Sequence, residues 1–142
     1  MKKMIFENSY FEDEVRDGFF VPAEMKRAWA AELEVLSEVD KICKKHNIQY
    51  FADWGTLLAA VRHEGFIPWD DDLDIVMKRD DYNRFMELAQ TELPEGFSAY
   101  NFRNHDDFWL FLGRVVGKQR ICFEEEHLER FHQFPYIVGV DI

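Results

Sequence analysis

Trp69-Asp70-Asp71-Asp72-Leu73-Asp74-Ile75-Val76-Met77 makes two demands at once: its four aspartates want water or a cation, and its aliphatic residues want a core. A β-strand over 73–77 meets both, because side chains alternate between faces; Asp72 and Asp74 then share one side while Leu73 and Ile75 share the other. Two neighbouring carboxylates on one face repel unless a cation lies between them. Hard oxygen donors at this spacing suit Mg2+ or Mn2+. A solvated acidic turn accounts for Asp70 and Asp71 but not for Asp72 and Asp74, which are interleaved with core-seeking residues. Asp70 alternates in phase with that pair and is a further metal candidate, although Pro68 disturbs a strand there. An EF-hand loop is excluded: Asp70, Asp72 and Asp74 fill its first, third and fifth places, but Ile75 stands where glycine is required and Asp81 where glutamate is.

Upstream, 48–52 reads as a strand, Trp54-Gly55-Thr56 as a turn, and 57–63 as a short helix ended by Gly65. Glycine at a strand-to-helix turn lets a phosphate approach the backbone. The helix start adds free N–H groups, and Thr56 adds a hydroxyl. Further upstream, Trp29, Leu33, Leu36, Val39 and Cys43 recur at three- and four-residue steps from Pro22 to a stop at Asn47, with Glu32, Glu34, Lys41 and Lys44 between them. That pattern predicts an amphipathic helix of about six turns. Residues 1–20 show no clear period and read as an irregular arm, leaving 21–142 as one domain.

Downstream, Asp80-Asp81 is placed to cap a helix carrying Tyr82, Phe85, Met86, Leu88 and Ala89, which Pro94-Glu95-Gly96 ends. Strand patterns follow over 97–102, 108–116, 120–123 and 136–142. The last holds Asp141 between Val140 and Ile142, a third carboxylate with apolar neighbours. The expected class is α+β (mixed α/β), a mixed sheet with flanking helices. The final strand pattern stops without a turn, so the domain is expected to be incomplete at its C-terminus, with Asp141 weakly anchored. Three carboxylates on neighbouring strands plus a phosphate-holding turn describe a metal-assisted phosphoryl-transfer site.

The rest of the chain narrows the partners. Its 142 residues carry 17 Lys+Arg against 28 Asp+Glu, a net charge of −11, which argues against nucleic acid and makes a cation the natural intermediary for a phosphate ligand. Cys43 and Cys122 supply neither a disulfide framework nor zinc spacing. No targeting signal and no run of spanning length is visible, so a cytoplasmic location is expected, which includes the inner face of the membrane. Arg114, Lys118 and Arg120 form a basic trio suited to donor or acceptor phosphates, or else the exposed ends of a hairpin. Glu124-Glu125-Glu126 reads as a solvated face. His63 reads as a helix-end residue, and Trp69 as a packing residue.

The stretch from Phe51 to Asp74, Phe-Ala-Asp-Trp-Gly-Thr-Leu-Leu-Ala-Ala-Val-Arg-His-Glu-Gly-Phe-Ile-Pro-Trp-Asp-Asp-Asp-Leu-Asp, resembles the signature of the LicD family within the nucleotidyltransferase-fold superfamily. The likeness continues through Met77, Arg79, Asp81, Tyr82 and Phe85, is close over about 28–90, and is looser to the Val-Asp-Ile at 140–142. It implies a nucleotidyltransferase-like catalytic domain and a family whose members extend beyond residue 142. It implies transfer of a phosphorylated, phosphocholine-like headgroup from a CDP-activated donor such as CDP-choline to a sugar hydroxyl of a glycan or lipid-linked glycan of the lipopolysaccharide or teichoic acid type. On this likeness Asp72 and Asp74 hold Mg2+, Asp141 is a further ligand or the base toward the acceptor, and Gly55, Thr56, Arg62, Arg114 and Arg120 serve the donor phosphates. Two other readings share these residues. One is a nucleotidyltransferase moving NMP from NTP to a small hydroxyl acceptor, and the other is a non-catalytic binding domain of the same fold.

Overall fold

The long helix α1 (Ala23–His46) is the spine against which the other elements are set. Its end is written locally: Asn47 adopts the left-handed conformation (φ 53°) and its N–H reaches back to the carbonyls of Cys43 and Lys44. Its beginning is capped from a distance, the Ala23 N–H donating to Asp13 Oδ1 at 2.6 Å. The computed structural model describes residues 3–142. After α1 come β3 (Tyr50–Ala52), α2 (Trp54–Arg62), β4 (Ile75–Met77), α3 (Arg79–Glu92), β5 (Ser98–Tyr100), β6 (Arg114–Val116), α4 (Glu125–Arg130) and β7 (Gly139–Asp141); before it, a 3-10 turn (Asn8–Phe11) precedes β1 (Glu14–Arg16) and β2 (Phe19–Val21).

β3 and β4 pair antiparallel, with Ala52 opposite Ile75, and β5-β6-β7 form a second antiparallel ladder with Arg114 opposite Asp141. A single parallel bridge, Asp74 to Asp141, joins the two, with the Asp141 N–H on the Leu73 carbonyl at 3.1 Å. The result is a mixed surface in the order β3-β4-β7-β6-β5, and the α+β class holds. Its inner face supplies Leu73, Ile75, Val115 and Val140 to a core shared with Val35, Val39 and Ile42 of α1 and Phe85 of α3. Leu73, Ile75 and Met77 are buried while Asp72 and Val76 are exposed, so the alternation extends past the three paired residues of β4.

Several local expectations are corrected. Residues 14–21 are a β-hairpin rather than an irregular arm, turning at Asp17-Gly18 with both φ positive (50° and 78°). That is the geometry Asp-Gly favours in a two-residue hairpin turn. Trp54-Gly55-Thr56 is the first turn of α2, capped by Asp53, and α2 ends at Arg62, before Gly65. Asp80 and Asp81 lie inside the first turn of α3, where their charge suits the helix dipole, and Lys78 is the cap residue without a side-chain bond. Of 108–116 only Arg114–Val116 is strand, extended by the Gly113 bonds to Ile142, and 120–123 is not strand, because the residues at 108–112 and 120–123 have no neighbouring strand. Glu125 and Glu126 open α4. Asp141 is well anchored, since Ile142 and Gly113 exchange two backbone hydrogen bonds (2.8 and 2.9 Å) beyond the end of β7.

Candidate active site

The aspartate segment is held from two sides. From α1, the Trp29 indole N–H donates to the Asp70 carbonyl at 2.8 Å, with the Trp29 ring stacked on Phe66. From α2, Thr56 Oγ1 accepts the Asp74 N–H at 2.8 Å, and the Asp53 N–H donates to the Asp74 carbonyl at 3.1 Å. Gly55 has a specific steric duty: a Cβ there would lie 2.5 Å from Asp70 Oδ2. The start of α2 therefore faces the Asp70 carboxylate, and the Thr56 hydroxyl oxygen is used to position Asp74.

This scaffold brings Asp70, Asp72, Asp74 and Asp141 into one electrostatic neighbourhood. Burial and the charges of Asp74 and Asp70, with an Asp70 hydrogen bond, push the Asp72 carboxyl up to about 6. Asp74 is raised by burial and then by Asp141, Asp70 and Asp53, with Arg114 opposing. Asp141 is compensated: Arg114 donates from Nε to Oδ1 at 2.5 Å and from Nη2 to Oδ2 at 2.6 Å, a bidentate pair. Asp72, Asp141 and Arg114 open onto a cavity of 560 Å³ whose wall also includes Glu32, Tyr100 and Tyr136.

Glu32 was hidden in the sequence. Placed among the polar residues of α1, it lies instead on the buried side, 3% exposed, with Oε2 unpartnered. Burial, and then the charges of Asp72, Asp71, Asp70 and Asp74, push its carboxyl up to about 9. The available signal was its spacing, three residues after Trp29 and three before Val35, which puts it in the apolar stripe. Glu34 is likewise buried rather than on the polar face.

The donor chemistry fits a hard divalent cation: crowded carboxylates that raise one another, and a helix start with no side chain at Gly55. Among the described residues no three His, Cys, Asp or Glu side chains already converge as a metal-holding group. Asp141 in particular is taken by Arg114.

The remaining candidates lie elsewhere. Arg62 is exposed and donates from Nε to His63 Nε2 at 2.8 Å, while His63 Nδ1 meets Asp17 at 3.0 Å. The basic trio is split: Arg114 is at the site, whereas Lys118 pairs with Glu124 at 2.7 Å and Arg120 is exposed. Trp69 packs edge-on against Phe19 and His63 and remains 54% exposed. No described helix is long and apolar enough to cross a membrane.

The chain is similar in sequence to several known proteins. The lipopolysaccharide cholinephosphotransferase LicD of Haemophilus influenzae is 41% identical over 92 residues, covering 65% of this chain and 32% of that protein. An uncharacterized protein of Rickettsia typhi is 36% identical over 98 residues (64% of this chain, 30% of that one). Another, of Rickettsia prowazekii, is 43% identical over 60 residues (42% and 23%). The matched part of the chain thus spans about a third or less of each relative. The family model described as "LicD/FKTN/FKRP, nucleotidyltransferase domain" matches residues 47–124, from the end of α1 to the start of α4, and the chain belongs to that family.

Proposed function

We propose that this chain carries the donor-binding and catalytic centre of a transferase that moves a phosphocholine-like headgroup from a CDP-activated donor to a sugar hydroxyl of a cell-surface glycan. The observation that carries this reading is the meeting of Asp72 and the Asp141–Arg114 pair on one cavity, with Asp70 and Asp74 in the same electrostatic neighbourhood, in a chain 41% identical to a lipopolysaccharide cholinephosphotransferase over 92 residues. Asp72 and Asp74, with Asp70 beside them, would hold Mg2+ or Mn2+, which supplies charge neutralisation at the donor diphosphate.

The protein's own groups do the rest. Arg114 holds both oxygens of Asp141. A donor diphosphate competes for the guanidinium, and its transfer to phosphate uncovers Asp141 when the substrate is in place. Asp141 then accepts the proton of the acceptor hydroxyl. The new P–O bond forms to the sugar oxygen as the bond to CMP breaks, and CMP leaves with the electron pair. Gly55 keeps the start of α2 open so that Asp70 fits beneath it, and Thr56 fixes the backbone of Asp74.

The test is donor choice in the protein as it occurs in its organism. CMP release from CDP-choline that depends on a glycan acceptor supports the reading. Pyrophosphate release from NTP, without turnover of CDP-choline, would replace it with a nucleotidyltransferase. Asp141→Asn should lower kcat at least 100-fold without weakening donor binding, because the loss falls on a group that acts in the transition state while Arg114 is released to the diphosphate.

A further inference from the structure

The 560 Å³ cavity has more wall than the groups that act on phosphate, and the chemistry of that wall is narrow. Its charged side chains are Glu24, Glu32, Asp71, Asp72, Asp141 and Arg114. Apart from these and the hydroxyls of Tyr100 and Tyr136, every described side chain on it is apolar, Met25, Phe134 and Ile137 among them. Phe134 and Tyr136 meet with ring centroids 5.3 Å apart and planes inclined by 65°, which makes an aromatic corner. The corner, Met25 and Glu24 lie outside the family-matched segment 47–124, whereas Asp72 and Arg114 lie inside it.

The charge of the wall is one-sided. Its carboxyl groups outnumber its guanidinium, and Asp141 already engages that guanidinium. Elsewhere the fold supplies cations to a buried carboxylate: Glu34 receives the Met4 N–H at 2.7 Å and His132 Nε2 at 2.8 Å on Oε1, and Arg130 on Oε2. Glu32, also buried on α1, has no partner at Oε2 among the described residues, and the charges that act on it most are those of Asp72 and Asp71.

A headgroup entering this cavity must suit both properties. A neutral polyol needs uncharged hydrogen-bonding side chains, and the wall offers only the two tyrosine hydroxyls. An anionic headgroup meets carboxylates with Arg114 alone to offset them, and the donor diphosphate takes Arg114. A quaternary ammonium is a cation with an apolar surface and no hydrogen bonds to satisfy. It gains both from the carboxylate field and from the faces of aromatic rings.

We infer that the Phe134–Tyr136 corner, with Tyr100 on the same wall, is the subsite that receives a quaternary ammonium at the end of the donor headgroup and selects it over a neutral one. This rests on the proposed CDP-activated donor and adds the residues that choose among such donors.

The test is calorimetric binding of CDP-choline, CDP-glycerol and CDP, each with Mg2+, to the protein as it occurs in its organism and to its Tyr136→Leu and Tyr136→Phe variants. Tyr136 is 49% exposed, so its replacement spares the core. The wild type should bind CDP-choline about tenfold more tightly than CDP-glycerol. Tyr136→Leu should lose that preference while its affinities for CDP-glycerol and CDP stay within about twofold of the wild type, and Tyr136→Phe, which keeps a ring, should retain it. Equal wild-type affinities for CDP-choline and CDP-glycerol would overturn the subsite and leave the CDP donor standing. Binding of none of the three would remove the donor reading and the subsite with it. A preference that survives in Tyr136→Leu would show that the ammonium lies elsewhere. Should that variant misfold, nuclear Overhauser contacts in the wild type decide: the N-methyl protons of bound CDP-choline should reach the rings of Phe134 or Tyr136, and bound CDP-choline without such contacts would overturn the assignment.

Discussion

At the scale of single residues, this site is a set of carboxylates with unequal support. Asp141 has a bidentate arginine, Asp74 has backbone positioning from Thr56 and Asp53, and Glu32 has an unpartnered oxygen. The pair Asp72 and Asp74 was legible because alternation with Leu73 and Ile75 leaves only one way to place them. Glu32 was not, because a helix pattern at three- and four-residue spacing tolerates one charged member of the stripe without announcing it. Its folded-state carboxyl lies near 9, against an ordinary value of 4.5. An acid whose folded value is raised favours folding most when protonated in both states, below 4.5, and that advantage is lost progressively as pH climbs toward 9. By pH 7 the loss for Glu32 is about 3 kcal/mol, and Asp72, raised to about 6, adds to it in the same direction. Urea unfolding in the presence of a chelator should therefore show stability falling from mildly acidic to alkaline pH, with a distinctly shallower fall in Glu32→Gln. Parallel profiles for the two proteins would refute the assignment of the slope. Arg114→Lys, which keeps the charge but not the two-pronged contact, should cost about 1 kcal/mol, because the pair is partly open to water.

At the scale of elements, the pattern places α1 and α3 to within a residue or two, starts α2 three residues late, leaves α4 unseen in an acidic run, and overdraws the strands. α1 announces both its stripe and its Asn47 stop, whereas a three-residue strand is defined by its partner, which no local pattern contains. That is why 108–112 and 120–123, rich in strand-favouring residues, stay outside the ladders. The Asp17-Gly18 dipeptide is itself a hairpin signal, but the residues around it lack the alternation that would mark them as strands. β7 is the element on which the site depends most, since it places Asp141 opposite Arg114 and beside Asp74. A Cβ at Gly139 would lie 2.7 Å from the Val115 carbonyl oxygen and 3.0 Å from Val116 Cγ1. A backbone atom cannot turn away as a side chain can, so Gly139→Ala must pry β7 from β6. We expect a loss of about 2 kcal/mol together with weakened Mn2+ binding. Gly18→Ala is the control: its φ is +78°, but nothing lies within 4 Å of the added Cβ. Its loss, about 1 kcal/mol, should leave Mn2+ affinity untouched. Equal effects on the metal would mean that β7 does not position the site.

At the scale of the whole molecule, α1 carries two buried glutamates of opposite consequence, one at the cavity and one at the joint that closes the chain. Around Glu34, the segment near Met4, α1 and the α4 turn meet: Arg130 also reaches Glu38 at 2.8 Å, Arg27 donates to the His132 carbonyl at 2.9 Å, and Phe6 and Phe11 pack on the His132 ring. Burial alone would raise the Glu34 carboxyl, but the hydrogen bonds from His132 and Met4 and the charge of Arg130 outweigh it and hold it below 4.5. For a carboxyl lowered in this way the sign is opposite to that of Glu32. Its stabilisation is complete above 4.5 and disappears as pH falls through the folded value. The Glu34 contribution is therefore lost toward acid and the Glu32 contribution toward alkali. The chelated chain should be most stable in the mildly acidic range, near pH 5, rather than at neutrality. Each limb has its own variant. Glu34→Gln leaves Arg130 and His132 without their anion, should lose about 3–5 kcal/mol, and should flatten the acid limb. Glu32→Gln should flatten the alkaline limb and move the optimum toward neutral pH. Saturating Mn2+ should move the wild-type optimum the same way, because a bound cation favours the ionised carboxylates. A chelated wild-type optimum above pH 7, or an acid limb that survives in a folded Glu34→Gln, would show that the balance between these two glutamates does not set the stability of the molecule.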